Sequence, residues 1–477
     1  VKHVLTDEGK TEPVQSGDFV LHDENLWLED IEGEAALDWV ARISSETLDA
    51  LSLDARFAAF NQRLLSIYQS QERIAVATVR GAWLYNFWQD KSHPRGIWRK
   101  TTLESYASDA PDWQILLDVD RLAQHENENW VWAGASMLYP EYRYALLSFS
   151  RGGGDAAVVR EFDCATGTFV AEGFVLAEAK SQTAWIDRDQ IFVATDFGEK
   201  SLTDSGYPRI VKCWQRGTPL AAATTLFEGE PGDVLVTAHV SRDWSGQQLR
   251  LRRWVTRRIT FQKSQYLLDV DGTLSPLDLP EDADIETFGD QLLVIVKSAW
   301  QLASGVWPQG SVLAIDLDSF LQGDRRFSAL FTPGPRRALK GLCKTRSQLW
   351  LSFADNLAEQ CERFSLDGGT WQRVALKLDS SVSIDFYPFD ADQNDDVWVF
   401  FSGAATPTRV ALWQWPCGAV VSDARVVKRL PALFRADDLC QRRFDAVSAD
   451  GTLIPYVVVG RERASAKTPT LLYGYGG

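Results

Sequence analysis

The apolar run Leu471-Leu472-Tyr473 opens into Gly474-Tyr475-Gly476-Gly477. Phenols set among glycines can be brought close to another group, because glycine has no Cβ to hold the backbone away. On residue types alone, the segment reads as a strand end carrying a buried tyrosine. A search for a G-x-S-x-G nucleophile elbow fails. No serine has glycine at both −2 and +2; Ser136 follows Gly134 but precedes Leu138. The 477 residues therefore hold no complete serine hydrolase of that type.

Other chemistries are excluded residue by residue. Asp390-Ala391-Asp392-Gln393-Asn394-Asp395-Asp396 begins like a calcium loop. It has no glycine at the sixth position, and Phe401 stands where a bidentate glutamate is required, so a solvated turn is expected. Gly152-Gly153-Gly154-Asp155 joins two strand-like runs without a following helix pattern, which makes it a tight turn and not a phosphate cradle. His3, His22, His93, His125 and His239 show no metal-ligand spacing. The six cysteines contain no C-x-x-C pair, and no metal or other cofactor is expected. Sixty-five acids offer too many carboxylate pairs for a glycosidase site to be singled out.

A net charge of −16 argues against nucleic acid, whose binding needs clustered cations. The local exception, Arg250 to Arg258, is expected to form a pair of strands with solvated arginine faces. No apolar stretch approaches the ~18 residues of a membrane span, and the first twenty residues lack the apolar core of a signal peptide. The scattered cysteines fit a reducing compartment, so a cytoplasmic protein is expected. The chain starts at Val1 and stops in a glycine turn, so it reads as part of a longer protein.

The elements that would position these residues change along the chain. Leu37, Val40, Ile43, Thr47 and Leu51, then Phe57, Phe60, Leu64 and Tyr68, recur at helical spacing, with Asp54 as the N-cap between them. From Ile74 to Pro431, short runs rich in Val, Ile, Trp, Tyr and Phe alternate with Gly, Asp, Ser and Pro turns. Segments open near Ile74, Trp130, Ser181, Val234, Ala283, Arg337 and Val382, each with about four strand-like runs. That spacing predicts a mainly β fold, a seven-bladed propeller, with the tryptophans in the wide outer parts of the blades. Beyond Pro431, a hairpin turning at Asp450-Gly451 and a strand at Thr470–Tyr473 are expected.

Three short motifs in this order resemble the prolyl oligopeptidase family of serine peptidases. They are Trp27-Leu28-Glu29-Asp30, Asp450-Gly451-Thr452-Leu453-Ile454-Pro455, and Leu472-Tyr473-Gly474-Tyr475-Gly476-Gly477. The resemblance implies that residues 1–73 are a helical segment packing on a hydrolase domain. It makes 74–431 the propeller and 432–477 the first strands of an incomplete α/β-hydrolase domain, cut before the catalytic Ser, Asp and His. It implies that Tyr475 donates its phenol O–H to the oxyanion of the transition state, an effect of about 3–4 kcal/mol. This chain, without the triad, should be inactive. The intact enzyme should be a monomer acting on short peptides, with the propeller channel as a filter and no nucleic-acid or membrane partner. Acids lining that channel would favour basic or neutral peptides. The family's propeller phenylalanine before an Ala-Trp pair is absent from Lys180-Ser181-Gln182-Thr183-Ala184-Trp185, which leaves cleavage after proline open. The alternative is a stand-alone propeller that binds and catalyses nothing.

Overall fold

The computed structural model describes residues 4–5, 11–12, 23–30, 33–379, 382–462, 465 and 467–474, in two units, Val1–Gln71 and Glu72–Gly477. In the first unit, helix α1 spans Glu34–Ser52 and α2 spans Ala55–Tyr68. The second begins where it does because the Asp54 carboxylate accepts the Arg56 N–H at 2.9 Å, satisfying one of the free donors of a helix start. Leu37, Leu48, Phe60 and Leu64 on these helices are exposed. Trp27 packs edge-on against Trp39, 6.3 Å between ring centroids.

In the second unit, seven antiparallel sheets follow one another along the chain. Blade 1 comprises Thr78–Arg80, Trp83–Trp88, Ile97–Thr101 and Gln114–Asp118. Blades 2 to 7 open with Trp130–Met137, Gln182–Trp185, Leu235–Ser245, Asp284–Phe288, Arg337–Lys344 and Ser383–Pro388. Each first strand lies within about four residues of the sequence expectation, because the turns that set the period are marked by Gly and Asp. Blade 4 shows the pattern at its longest. Leu235↔Arg258 to Ser245↔Gln248 is one unbroken register, reversing at Gly246, whose φ of +59° suits a residue without a side chain.

Seven apolar clusters make the ring. Each straddles two successive blades, and one joins the last blade to the first. The second strands explain why. Leu292 and Val294 face blade 4 while Leu293 faces blade 6, and Trp350 faces blade 7 while Leu349 and Leu351 face blade 5. These strands are buried on both sides, so they read as continuous apolar runs and not as alternation. Four tryptophans are placed differently from expectation. Trp98, Trp350, Trp398 and Trp413 lie in the two middle strands and fill the gaps between blades. The widening space between neighbouring sheets is what needs their volume.

Polar clasps reinforce the junctions. Glu161 of blade 2 accepts from Arg188 and Arg216 of blade 3 at 2.8 and 2.9 Å. Asp243 of blade 4 accepts from Lys344 of blade 6 (3.0 Å) and Thr287 of blade 5 (2.6 Å). Asp395 of blade 7 accepts from the Thr345 hydroxyl at 2.7 Å and the Ser347 N–H at 2.6 Å in blade 6. This corrects the expected solvated turn at 390–396, where Asp390 and Asp395 are buried. The Arg250–Arg258 region is corrected in part, since Arg253 and Arg258 are exposed as expected. It lies on one strand, and Arg250, Arg252 and Arg257 are spent on Asp290, Asp243 and Asp233. Paired in this way, these arginines form no open cationic face.

Three short helices that periodicity did not mark, Leu103–Ala107, Val119–Glu126 and Leu317–Leu321, connect strands and are capped by Thr102, Asp118 and Asp316. At the end of the unit, Leu439–Val447 pairs with Leu453–Arg461, turning at Gly451 (φ +83°). The strand expected at 470–473 is not formed. Leu471, Leu472 and Tyr473 are exposed and hydrogen-bond to no neighbouring strand among the described residues. No helix among the described residues is long and apolar enough to cross a membrane.

Candidate functional site: the axial channel

An antiparallel sheet of four strands returns the chain to the face from which it started. All blade-to-blade connections, and the two points where the chain joins and leaves the ring, therefore share one face. The turns between first and second strands share the other. The first strands converge on the axis: residues from those of blades 1, 2, 3 and 4 line a single cavity of about 470 Å³. Its apolar wall is Tyr85, Phe87, Trp98 and Trp132, a cluster of rings with centroids 5.0–5.6 Å apart. Ala184 and Trp185 of blade 3 also line it, the Trp185 indole N–H donating to the Ser136 carbonyl at 2.9 Å. His239 is open to the channel yet surrounded by protein mass, which holds its pKa below the ordinary value.

The far face of the channel is crossed by side chains. The Tyr142 hydroxyl of blade 2 donates to Asp392 of blade 7 at 2.9 Å. Arg242 of blade 4 reaches the same carboxylate at 3.4 Å, and its guanidinium lies 4.9 Å from the Tyr139 ring centroid. Arg346 of blade 6 covers Trp244 of blade 4 at 3.9 Å. Tyr142 adopts φ +52°, a left-handed conformation unusual for an aromatic residue. Burial, and then the Asp392 charge, raise the pKa of both Tyr139 and Tyr142, so both phenols stay protonated donors near neutrality. Turns from four blades are thus tied together by side chains and not by backbone.

A second space, about 770 Å³, lies at the seam between blades 7 and 1. Blade 1 opens with a strand of three residues against six in blade 7, so the inner edge of the seam is left unfilled. Tyr106, buried and held by its O–H to the Ala75 carbonyl at 2.8 Å, packs on Trp398 beneath it. Lys428 bridges the seam by donating to the Ser108 carbonyl at 2.7 Å. Asp390 lines this cleft, and burial raises its pKa.

Of the residues singled out in the sequence, Tyr475 lies outside the described residues. Trp27–Asp30 contains a short 3-10 helix, and Asp450–Pro455 forms the hairpin turn and the start of its second strand. Ala184 and Trp185 reach the channel cavity. Arg80, Tyr142 and Arg242 were not identified from sequence, and Asp392 only as part of the dismissed calcium-loop run. Their one local signal is position, each standing near the end of the first run of its segment or in the turn that follows. Among the described residues, no group of three His, Cys, Asp or Glu could hold a metal ion, and all six cysteines are free.

Residues 7–410 match the family described as prolyl oligopeptidase, N-terminal beta-propeller domain. An uncharacterized peptidase of Sinorhizobium fredii is 34% identical over 466 residues, covering 95% of this chain and 63% of the relative. An uncharacterized peptidase of Rickettsia prowazekii is 26% identical, covering 95% and 64%. The chain thus spans less than two thirds of the length of these curated relatives. The solved structure of a post-proline cleaving enzyme from Rickettsia typhi superposes with a TM-score of 0.84 at 24% identity, covering 93% of this chain and 65% of that one. At that identity the likeness is one of fold.

Proposed function

Because the chain belongs to the prolyl oligopeptidase family, we propose that it is the propeller-bearing part of a serine-type oligopeptidase that hydrolyses short peptides. The observation that carries this reading is the axial channel. It has an aromatic cavity of the size that holds a ligand of a few residues, and cross-axis side-chain contacts at its far face. In this reading the propeller is the filter, admitting extended peptides and refusing folded proteins. Residues 432–477, with the hairpin Leu439–Arg461, begin the α/β-hydrolase domain. The nucleophilic Ser and its Asp and His partners come from sequence outside these 477 residues. Tyr475 supplies an oxyanion donor; in a site closed to water, one such donor is worth about 10²–10³ in kcat.

Cleavage after proline is the activity named for the Rickettsia typhi enzyme, and we assign it here as the finer reading. The test uses the complete enzyme with internally quenched peptides of matched length carrying Pro or Ala before the scissile bond. Hydrolysis of the Pro series, abolished by a serine-reactive fluorophosphonate, with folded substrates left intact, is the expected result. Equal cleavage of both series refutes the proline assignment alone. No hydrolysis of either series refutes the peptidase reading. Tyr475→Phe should lower kcat by about 10²–10³ with little change in KM.

A further inference from the structure

The protein carries a net charge of −16, yet the residues lining the 470 Å³ channel cavity include Arg80 and Arg242 and no carboxylate. The two arginines are not equivalent. Arg242 already shares its guanidinium with Asp392 and the Tyr139 ring. Arg80, on the first strand of blade 1, donates to the adjoining Val79 carbonyl at 2.9 Å and faces the Tyr142 ring at 5.8 Å. Among the described residues it forms no ion pair, although Asp390 feels its charge through space. A guanidinium has five N–H donors, so most of the Arg80 fork remains available to a planar, bidentate acceptor. The rings of Tyr85, Trp132 and Trp185 line the same cavity.

We infer that this cavity binds an organic carboxylate carried next to an apolar or aromatic residue, with Arg80 as its anchor. This rests on the reading that peptides are handled in the channel, and it names the kind of peptide. It differs from the sequence expectation that acids, if they line the channel, favour basic or neutral peptides. The net negative charge repels an anion at long range. At 0.15 M salt that repulsion is screened over about 8 Å, whereas contact with Arg80 is local.

The experiment measures, by titration calorimetry, binding of three peptide probes to the 477-residue chain at 0.15 M salt. They are acetyl-Ala-Phe-Ala with a free C-terminal carboxylate, its C-terminal amide, and acetyl-Ala-Phe-Asp amide. The free acid should bind about tenfold or more tightly than the amide, the size expected of a charge-assisted hydrogen bond. Whether the aspartyl amide behaves like the acid tells a side-chain carboxylate from a chain terminus. Arg80→Gln should bring all three probes to the affinity of the amide. Arg80→Lys, which keeps the charge and loses the fork, should retain only part of the preference. Circular dichroism and melting establish that each variant is folded, and the acid-to-amide ratio of the unaltered chain needs no variant. If acid and amide bind the unaltered chain equally, or a folded Arg80→Gln keeps the preference, this inference falls and the proposed function stands. If no probe binds, this inference falls, and the hydrolysis assay alone decides the proposed function.

Discussion

Asp243 is the strongest single test of how the ring is held together. Its side chain is 1% exposed and accepts from Lys344 of blade 6, Thr287 of blade 5 and Arg252 of its own blade. Asp243→Ala removes the acceptor and leaves Lys344 with Glu286, an exposed partner at 2.9 Å, as its remaining carboxylate. Removing one member of a buried ion pair costs about 3–5 kcal/mol, mostly because the other charge is left uncompensated. The seven blades run from Thr78 to Arg429; for roughly 350 cooperative residues at about 2.1 cal/mol/K each, 4 kcal/mol lowers Tm by about 5 °C. Urea denaturation and calorimetry of Asp243→Ala, Lys344→Met and the double variant form a cycle. The cost arises from the stranded ammonium, so the double variant should be more stable than Asp243→Ala alone, with a coupling of at least about 1 kcal/mol. Asp243→Asn, which can still accept from Thr287, should fall between wild type and Ala. Costs that simply add, or an Asp243→Ala loss below about 1 kcal/mol, would refute the view that this buried charge cluster ties three blades together.

Trp350 is fully buried between blades 6 and 7, stacked at 5.5 Å on Phe386, and its indole N–H has no partner among the described residues. Trp350→Ala should cost about 3–5 kcal/mol in urea unfolding, whereas Trp350→Phe should cost clearly less because it also removes the unpaired donor. For Lys344, burial pulls the pKa down but the Asp243 and Glu286 carboxylates outweigh it, and the net direction is upward. A raised folded-state pKa means stability that is present below the ordinary lysine value and lost as pH rises through the folded one. The Tm gap between wild type and Lys344→Met should therefore hold from neutrality to about pH 10 and close at higher pH. Asp392→Ala should free the turns at 138–142 and 389–396, visible as faster hydrogen exchange in both while the second strands of the blades stay protected. Unchanged exchange in the 138–142 turn would show that the cross-axis contact does not hold it.

The ring was legible in the sequence because its cause is local. Gly and Asp turns and apolar runs repeat at one period, and each blade is made from consecutive strands, so first strands at Trp130, Gln182, Leu235 and Arg337 fall where the pattern changes. The two helices were legible for the same reason, down to the Asp54 cap. The seam, the cavities and the side-chain contacts between blades were not. Tyr142 and Asp392 are 250 positions apart, and Lys344 and Asp243 are 101 apart; nothing in the flanking residues of one announces the other. The acidic run at 390–396 looked solvated because its composition is polar, yet Asp395 is an acceptor buried between blades. Net charge was no guide to the lining of the 470 Å³ cavity either. It is a sum over the whole chain, whereas the sign inside the channel depends on which few side chains the first strands turn toward the axis. The sequence by itself determined the blades, because strand and turn formation depend on neighbours along the chain. Only the tertiary structure decided what lines the axis, because closing seven sheets into a ring brings together residues that share no local pattern.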